Sequence, residues 1–211
     1  MGIKHKMIEK IKWLGHGSFV IQDSPLIYIN PWRVTADDDK TADIILISHE
    51  HYEHCSPADI NKVKNDDTLI ISNAKVAEQI DNCTILRPWH SLTRNKTSIK
   101  AIPAYSPNDL QHPKTAGGLG FIISINYYDI YYAGDTGIIP EMDSIRPDIA
   151  ILPIDNNGTL SIEEAVEVVK KMRPRWVFPS NWGTTNSKIT KREAEAFKEA
   201  VSERAEVIIP E

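Results

Sequence analysis

Cysteine is scarce in this chain of 211 residues: only Cys55 and Cys83 are present. Two thiols do not make a disulfide framework and are expected to stay reduced in a cytoplasmic setting. Long apolar runs are missing too. No stretch approaches the roughly 18 residues that a membrane-spanning helix needs, so no membrane partner is expected. There is no basic surplus, since 24 Lys and Arg stand against 29 Asp and Glu, a formal charge of -5. A nucleic-acid partner is therefore not expected, because phosphate-binding proteins normally gather a basic face. Met1 to Lys12 is basic but has neither the apolar stretch nor the small-residue cleavage site of a secretory signal. What remains is ordinary globular composition, with 41% hydrophobic and 25% charged residues. One domain spanning residues 1–211 is the simplest expectation.

The first third reads as short strands joined by tight turns: Ile11 to Trp13, Ser18 to Gln22 and Leu26 to Ile29. A polar loop follows at Asp37 to Lys40. Asp43 to Ile47 then contains a continuous apolar run, the mark of a strand buried on both faces. Ser56-Pro57-Ala58-Asp59 supplies an N-cap hydroxyl, proline at the first helical position and a carboxylate two residues on, so a helix should start at Pro57. Further strands are predicted at Thr68 to Ser72, Thr84 to Leu86 and Ser98 to Ile102, with a helix capped by Asn73 and running to about Ile80. The second half repeats the scheme. Leu119 to Ile125 and Asp129 to Ala133 form a hairpin around Asn126-Tyr127, and Ile149 to Ile154, Trp176 to Phe178 and Glu206 to Ile209 are strands. Capping boxes at Ser161 and Thr190 open helices to Met172 and Val201. This rhythm calls for a layered α/β architecture built from two similar halves.

Three of the seven histidines fall in His49-Glu50-His51-Tyr52-Glu53-His54. They come directly after a buried strand, where open α/β folds place their sites. His49 and His51, two apart in an extended turn, can point the same way, while Glu53 and His54 approach from the next bend. Imidazoles with a carboxylate suit zinc, and also manganese or iron. Distant ligands are needed as well. Asp135, in Gly134-Asp135-Thr136-Gly137, follows another apolar strand, and its flanking glycines allow close backbone approach. A carboxylate placed between two cations could bridge them.

His49-Glu50-His51-Tyr52-Glu53-His54 resembles the His-x-His-x-Asp-His signature of the metallo-beta-lactamase superfamily. Trp13 to Phe19, Asn30-Pro31-Trp32, Ile102 to Ser106, His112-Pro113-Lys114, Gly118 to Phe121, Tyr132 to Thr136 and Leu152-Pro153-Ile154 resemble, in order, blocks of its ascorbate-lactonase-like branch of metal-dependent hydrolases. Asn30 stands in that branch's Asp-Pro step. The resemblance implies a four-layer αββα sandwich, two mixed sheets packed face to face with helices outside and a metal site along one edge. It further implies a divalent metal, zinc first and manganese or iron as alternatives, and hydrolysis by a metal-activated water. Carried over residue by residue, His49 and His51 help hold one metal, Glu53 and His54 the second, and Asp135 bridges them.

Three positions depart from the pattern. Glu53 replaces an aspartate, and the extra methylene moves the carboxylate by about 1.5 Å against metal-ligand tolerances of about 0.2 Å. Ser106 and Asn181 stand where histidines are expected. His112, in a loop closed by Pro113, is the replacement ligand in this reading, and His16, between two glycines, is a candidate for the same edge. His90 reads as a surface or structural group and His5 as uninvolved. Glu53 is a candidate general base, and Asn181 a hydrogen-bond donor to substrate or oxyanion. Asp155 and Asn156 read as a turn rather than as rim residues. Tyr105, Trp182 and Trp32 stand near strand ends, where aromatics either line a mouth or pack in the core. The expected substrate is a small polar ester, lactone or phosphoester. Two rival readings remain open: a mononuclear enzyme on His49, His51 and Asp135 or His112, and a non-catalytic binding or assembly subunit that keeps the fold. Uncovered sheet edges would favour a homo-oligomer, but nothing in the sequence fixes its order.

Overall fold

The computed structural model describes residues 7–35, 40–107, 109–184 and 189–210. His5 and Asp37, Asp38 and Asp39 of the predicted polar loop lie outside the described residues. Two mixed sheets carry the chain. The first contains β1 (Ile11–Gly15), β2 (Ser18–Gln22), β3 (Leu26–Ile29), β4 (Ile44–Leu46), β5 (Leu69–Ser72) and β6 (Cys83–Ile85), in that order. Its first three strands are antiparallel and the rest join in parallel. Helices α1 (Pro57–Val63) and α2 (Ala74–Ala77) interrupt this run.

The second sheet contains β7 (Ser91–Arg94), β8 (Thr97–Pro103), β9 (Leu119–Ile125), β10 (Tyr128–Tyr132), β11 (Ile149–Pro153), β12 (Trp176–Ser180) and β13 (Glu206–Val207). Here β7 to β10 are antiparallel and β10 to β13 parallel. Helices α3 (Ile162–Met172) and α4 (Lys191–Val201) flank β12 in the chain. Both halves thus pass from a meander to parallel crossover units, as the shared rhythm of the sequence predicts.

The period-two alternation of strands explains how continuous apolar runs serve two cores at once. Ile44 and Leu46 of β4 point between the sheets, while Ile45 and Ile47 point outward to the first helical layer. In β11, Ile149 and Ile151 join the inter-sheet core, and Ala150 and Leu152 meet the second helical layer. Ile60, Val63 and Val76 cover the outer face of the first sheet. Val168, Val169 and Met172 of α3, with Phe197 and Val201 of α4, cover that of the second. The result is the αββα sandwich. Its helices start where the caps demand: Ser56 accepts from the Asp59 amide, and Ser161–Glu164 and Thr190–Glu193 form reciprocal capping boxes.

Two local features differ from expectation. β7 carries no apolar alternation strong enough to announce a strand, since Ser91, Thr93 and Arg94 are exposed and Leu92 alone packs inward. Its strand character comes from pairing with β8. The Asn73-capped helix is a single turn, Ala74–Ala77, and tightens where Gln79 and Ile80 share the Val76 carbonyl.

The inter-sheet core should dominate stability. Phe121 is fully buried there, whereas Tyr127 is fully exposed in the β9–β10 turn. Urea denaturation should give a loss of about 3–5 kcal/mol for Phe121→Ala and within about 0.5 kcal/mol for Tyr127→Ala. Equal losses would contradict this placement of the core.

Candidate metal centre

The carboxyl ends of β4, β8, β10 and β12 lead into the segments that carry His49, His112, Asp135 and Asn181, so one edge of the sandwich collects them. The histidine loop is fixed at both ends. Asn30 Oδ1 accepts from the Ser48 amide at 2.8 Å. The His54 and Cys55 amides donate to the His51 carbonyl, and Ser56 then caps α1.

One ligand atom each of His49, His51, His112 and Asp135 lie within 4.8 Å of one another. Nε2 of His49 and His112 stand 3.6 and 3.4 Å from Asp135 Oδ2, and His54 Nε2 stands 3.3 Å from the same oxygen. His49, His54, His112 and Asp135 are all buried. None of the three Nε2 atoms has a hydrogen-bond partner among the described residues. Buried polar nitrogens are rarely left so, and each needs a physical account. A cavity of about 10 Å³ remains among His49, His51, His112 and Asp135, about enough for one water-sized occupant.

His112 reaches this group through a folded strap. Its carbonyl accepts from the Ser106 amide, Asp109 Oδ1 accepts from the Gln111 and His112 amides, and Ser106 Oγ donates to the Gly158 carbonyl. Ser106, at a position where a histidine was expected, therefore helps hold the loop that delivers one. Gly158 has φ +70, and a Cβ there would stand 2.7 Å from His112 Nδ1 and from Asp109 Oδ1. The strap closes only over glycine.

A second group joins His16, Glu53 and His54, again with one ligand atom each within 4.8 Å. His16 sits in the β1–β2 turn at φ 50. Its carbonyl accepts from Trp13 Nε1 at 2.8 Å and from the Asn181 amide at 3.1 Å. Its sequence signals were its place between two glycines and within the block from Trp13 to Phe19. A Cβ on Gly17 would come within 2.7 Å of His54 Cε1, so the turn can lie this close only with glycine. Asn181 is buried, and its Nδ2 donates to Asp135 Oδ1 at 2.9 Å. That donor is engaged on Asp135 rather than open to a substrate.

Electrostatics favour a charged Asp135 and uncharged His49 and His16. Burial alone would raise Asp135, but His54 and His49 beside it hold it well below the usual carboxylate range. Burial, reinforced by His54, pushes His49 well below its ordinary value, and His16 down to about 4. His112 is the exception. Burial lowers it, but Asp135 and Asp109 outweigh that and raise it. Burial also carries Asp155 up to about 6 against a hydrogen bond from Thr159, with the Asp135 charge adding to the rise.

The remaining candidates fall away from the cavity. Tyr105, Trp32 and Trp182 are buried, and none of them lines the cavity between the histidines. Tyr105 donates to Glu141, Trp182 stacks on Trp13 at 4.5 Å, and Trp32 meets His16 edge-on. His90 is exposed. Asn156 is exposed at φ 52, and its amide closes a turn on the Leu160 carbonyl.

Comparison with known proteins places this chain in a family. The beta-lactamase superfamily domain matches residues 10–181, which include both groups. The UPF0173 metal-dependent hydrolase of Methanosarcina barkeri is 31% identical, over 93% of this chain and 92% of its own. That of Thermococcus kodakarensis is 30% identical, over 95% of each. Among crystal structures, a candidate metal-dependent hydrolase from Parabacteroides distasonis is 29% identical with a TM-score of 0.84, covering 95% of this chain and 91% of that one. Igni18, a metallo hydrolase from Ignicoccus hospitalis, shares the fold at 23% identity and a TM-score of 0.79, over 95% of this chain and 94% of its own. With its sandwich and its histidine-rich edge, this chain belongs to the beta-lactamase superfamily, alongside the proteins named UPF0173 metal-dependent hydrolases.

Proposed function

We propose that this protein is a metal-dependent hydrolase whose cation is held by His49, His51, His112 and Asp135. The observation that carries this reading is the convergence of buried, unpartnered imidazole nitrogens on one carboxylate oxygen. The outer nitrogens fit it as well. His49 Nδ1 faces Ser48 Oγ at 2.9 Å and His112 Nδ1 faces Asp109 Oδ1 at 3.4 Å. Both neighbours are oxygens, which suits a proton on the outer nitrogen and a bare Nε2 inward, although at 3.4 Å His112 Nδ1 forms no hydrogen bond with Asp109. Three imidazoles and a carboxylate suit zinc, with manganese or iron as alternatives. The departures at Glu53 and Asn181 fall outside this group and leave it whole, which favours an enzyme over a non-catalytic binding subunit.

When bound, a divalent cation in such a cradle acts as a Lewis acid and brings the pKa of water from about 15.7 to roughly 7. The chain supplies the rest. Asn181 fixes Asp135 through Oδ1 and so sets the direction of Oδ2. The strap carrying His112 walls one side of the cavity of about 10 Å³, which is the size of the cation itself rather than of a substrate. The body of a substrate then lies outside, where Glu50, Gln111 and Ala116 border the opening. That geometry suits a small polar ester, lactone or phosphoester, and the charge of -5 gives no reason to expect a polyanion. We assign Glu53 as the general base, a carboxylate that lies with His16 and His54 and not among the four members of the group.

Two outcomes test this. After loading with zinc and removal of excess, elemental analysis should find bound metal lost in His49→Ala and His112→Ala and kept in His90→Ala. Retention by His112→Ala would remove the strap from the ligand set. Glu53→Gln should keep the metal while slowing hydrolysis, across a panel of esters, lactones and phosphoesters, by roughly 10²–10⁴-fold. An unchanged rate would end its role as base.

A further inference from the structure

The second group, His16, Glu53 and His54, offers three ligand atoms within 4.8 Å of one another, but the hydrogen bonding around His54 sets that ring apart. His54 Nδ1 lies 2.8 Å from Nδ2 of Asn30. The orientation of the Asn30 amide is fixed by its other end, where Oδ1 accepts from the Ser48 backbone amide at 2.8 Å. Turning the amide over would set its NH2 group against that backbone N–H, donor against donor. Nδ2 therefore faces His54, together with Tyr132 Oη at 2.8 Å and Ser48 Oγ at 3.0 Å. An amide nitrogen accepts no hydrogen bond, so at 2.8 Å His54 Nδ1 must carry its lone pair, and the ring proton sits on Nε2.

That proton points at Asp135, whose Oδ2 is 3.3 Å away. His49 and His112 differ on this one point, since their Nδ1 atoms face oxygens. Asp135 is also closed on its other side, because Oδ1 accepts from Asn181.

From this contrast we infer that the protein binds one cation and not two: Asn30 holds His54 in the tautomer that cannot ligate through Nε2, and the proton that His54 keeps there is turned toward the Asp135 carboxylate. The bridging role expected of Asp135 is thereby withdrawn, and His16 and Glu53 stand beside a pocket that lacks its third ligand. This inference rests on the reading of the first group as a cation site. It also assigns Asn30 a specific role, because an aspartate there would accept a hydrogen bond from a protonated His54 Nδ1 and leave Nε2 bare.

The test is zinc stoichiometry by elemental analysis and calorimetric titration on the full chain, wild type beside Asn30→Asp. One equivalent in the wild type and two in Asn30→Asp are expected. Two equivalents in the wild type, or one in a folded Asn30→Asp, would overturn the inference and leave the first site standing. None in the wild type would instead overturn the first site. A second measurement needs no variant: nitrogen-15 chemical shifts of the imidazoles in metal-free protein should show His54 protonated at Nε2. Protonation at Nδ1 would overturn the inference.

Discussion

Burying a carboxylate is costly unless donors or charges surround it, and the edge of this sandwich is organised around meeting that cost for Asp135. Its Oδ1 takes the side-chain amide of Asn181, its Oδ2 lies 3.3 Å from His54 Nε2, and the cation proposed between that oxygen, His49 and His112 supplies the remaining charge. Remove Asp135 and the nitrogens of His49, His54 and His112 have no common focus. The same carboxylate draws on both halves of the fold. It follows β10 of the second sheet, while His49 and His54 follow β4 of the first.

That meeting explains why the surrounding turns are built as they are. Gly17 and Gly158 occupy positions where a Cβ would press on His54 or His112. Asn30 and Tyr132 tie the two sheets together beneath the histidines, with Tyr132 donating onward to the Gly17 carbonyl. Such a buried polar network restricts the arrangement of its members. Its donor and acceptor pattern also decides which imidazoles can present a lone pair. Chemistry at the edge is thus set one layer behind the groups that perform it.

The fold was legible because its signals are local and redundant. The apolar runs at Ile44 to Ile47 and Ile149 to Ile154 read as strands buried on both faces, and the caps at Ser56, Ser161 and Thr190 marked helix starts that the structure repeats. β7 was missed because Ser91 to Arg94 has no apolar pattern and becomes a strand only by pairing. The candidate site was legible in part. The motif from His49 to His54 and the turn at Asp135 carry spacing that sequence exposes. His16 was harder to place, because a histidine in a tight turn gains meaning only when the turn folds back on His54. The part played by Asn30 was beyond reach. Whether an amide or a carboxylate faces one ring nitrogen is a matter of a single contact across 24 positions of chain.

The central claim is that His49, His51, His112 and Asp135 form a cation site. Anomalous diffraction, recorded above and below the zinc absorption edge on crystals of the zinc-loaded protein, tests it most directly. The account predicts one strong peak per chain, about 2.0–2.2 Å from nitrogens of the three histidines and an oxygen of Asp135. An anomalous map with no peak among those four side chains, or with its strongest peak at surface groups such as His90, would contradict it.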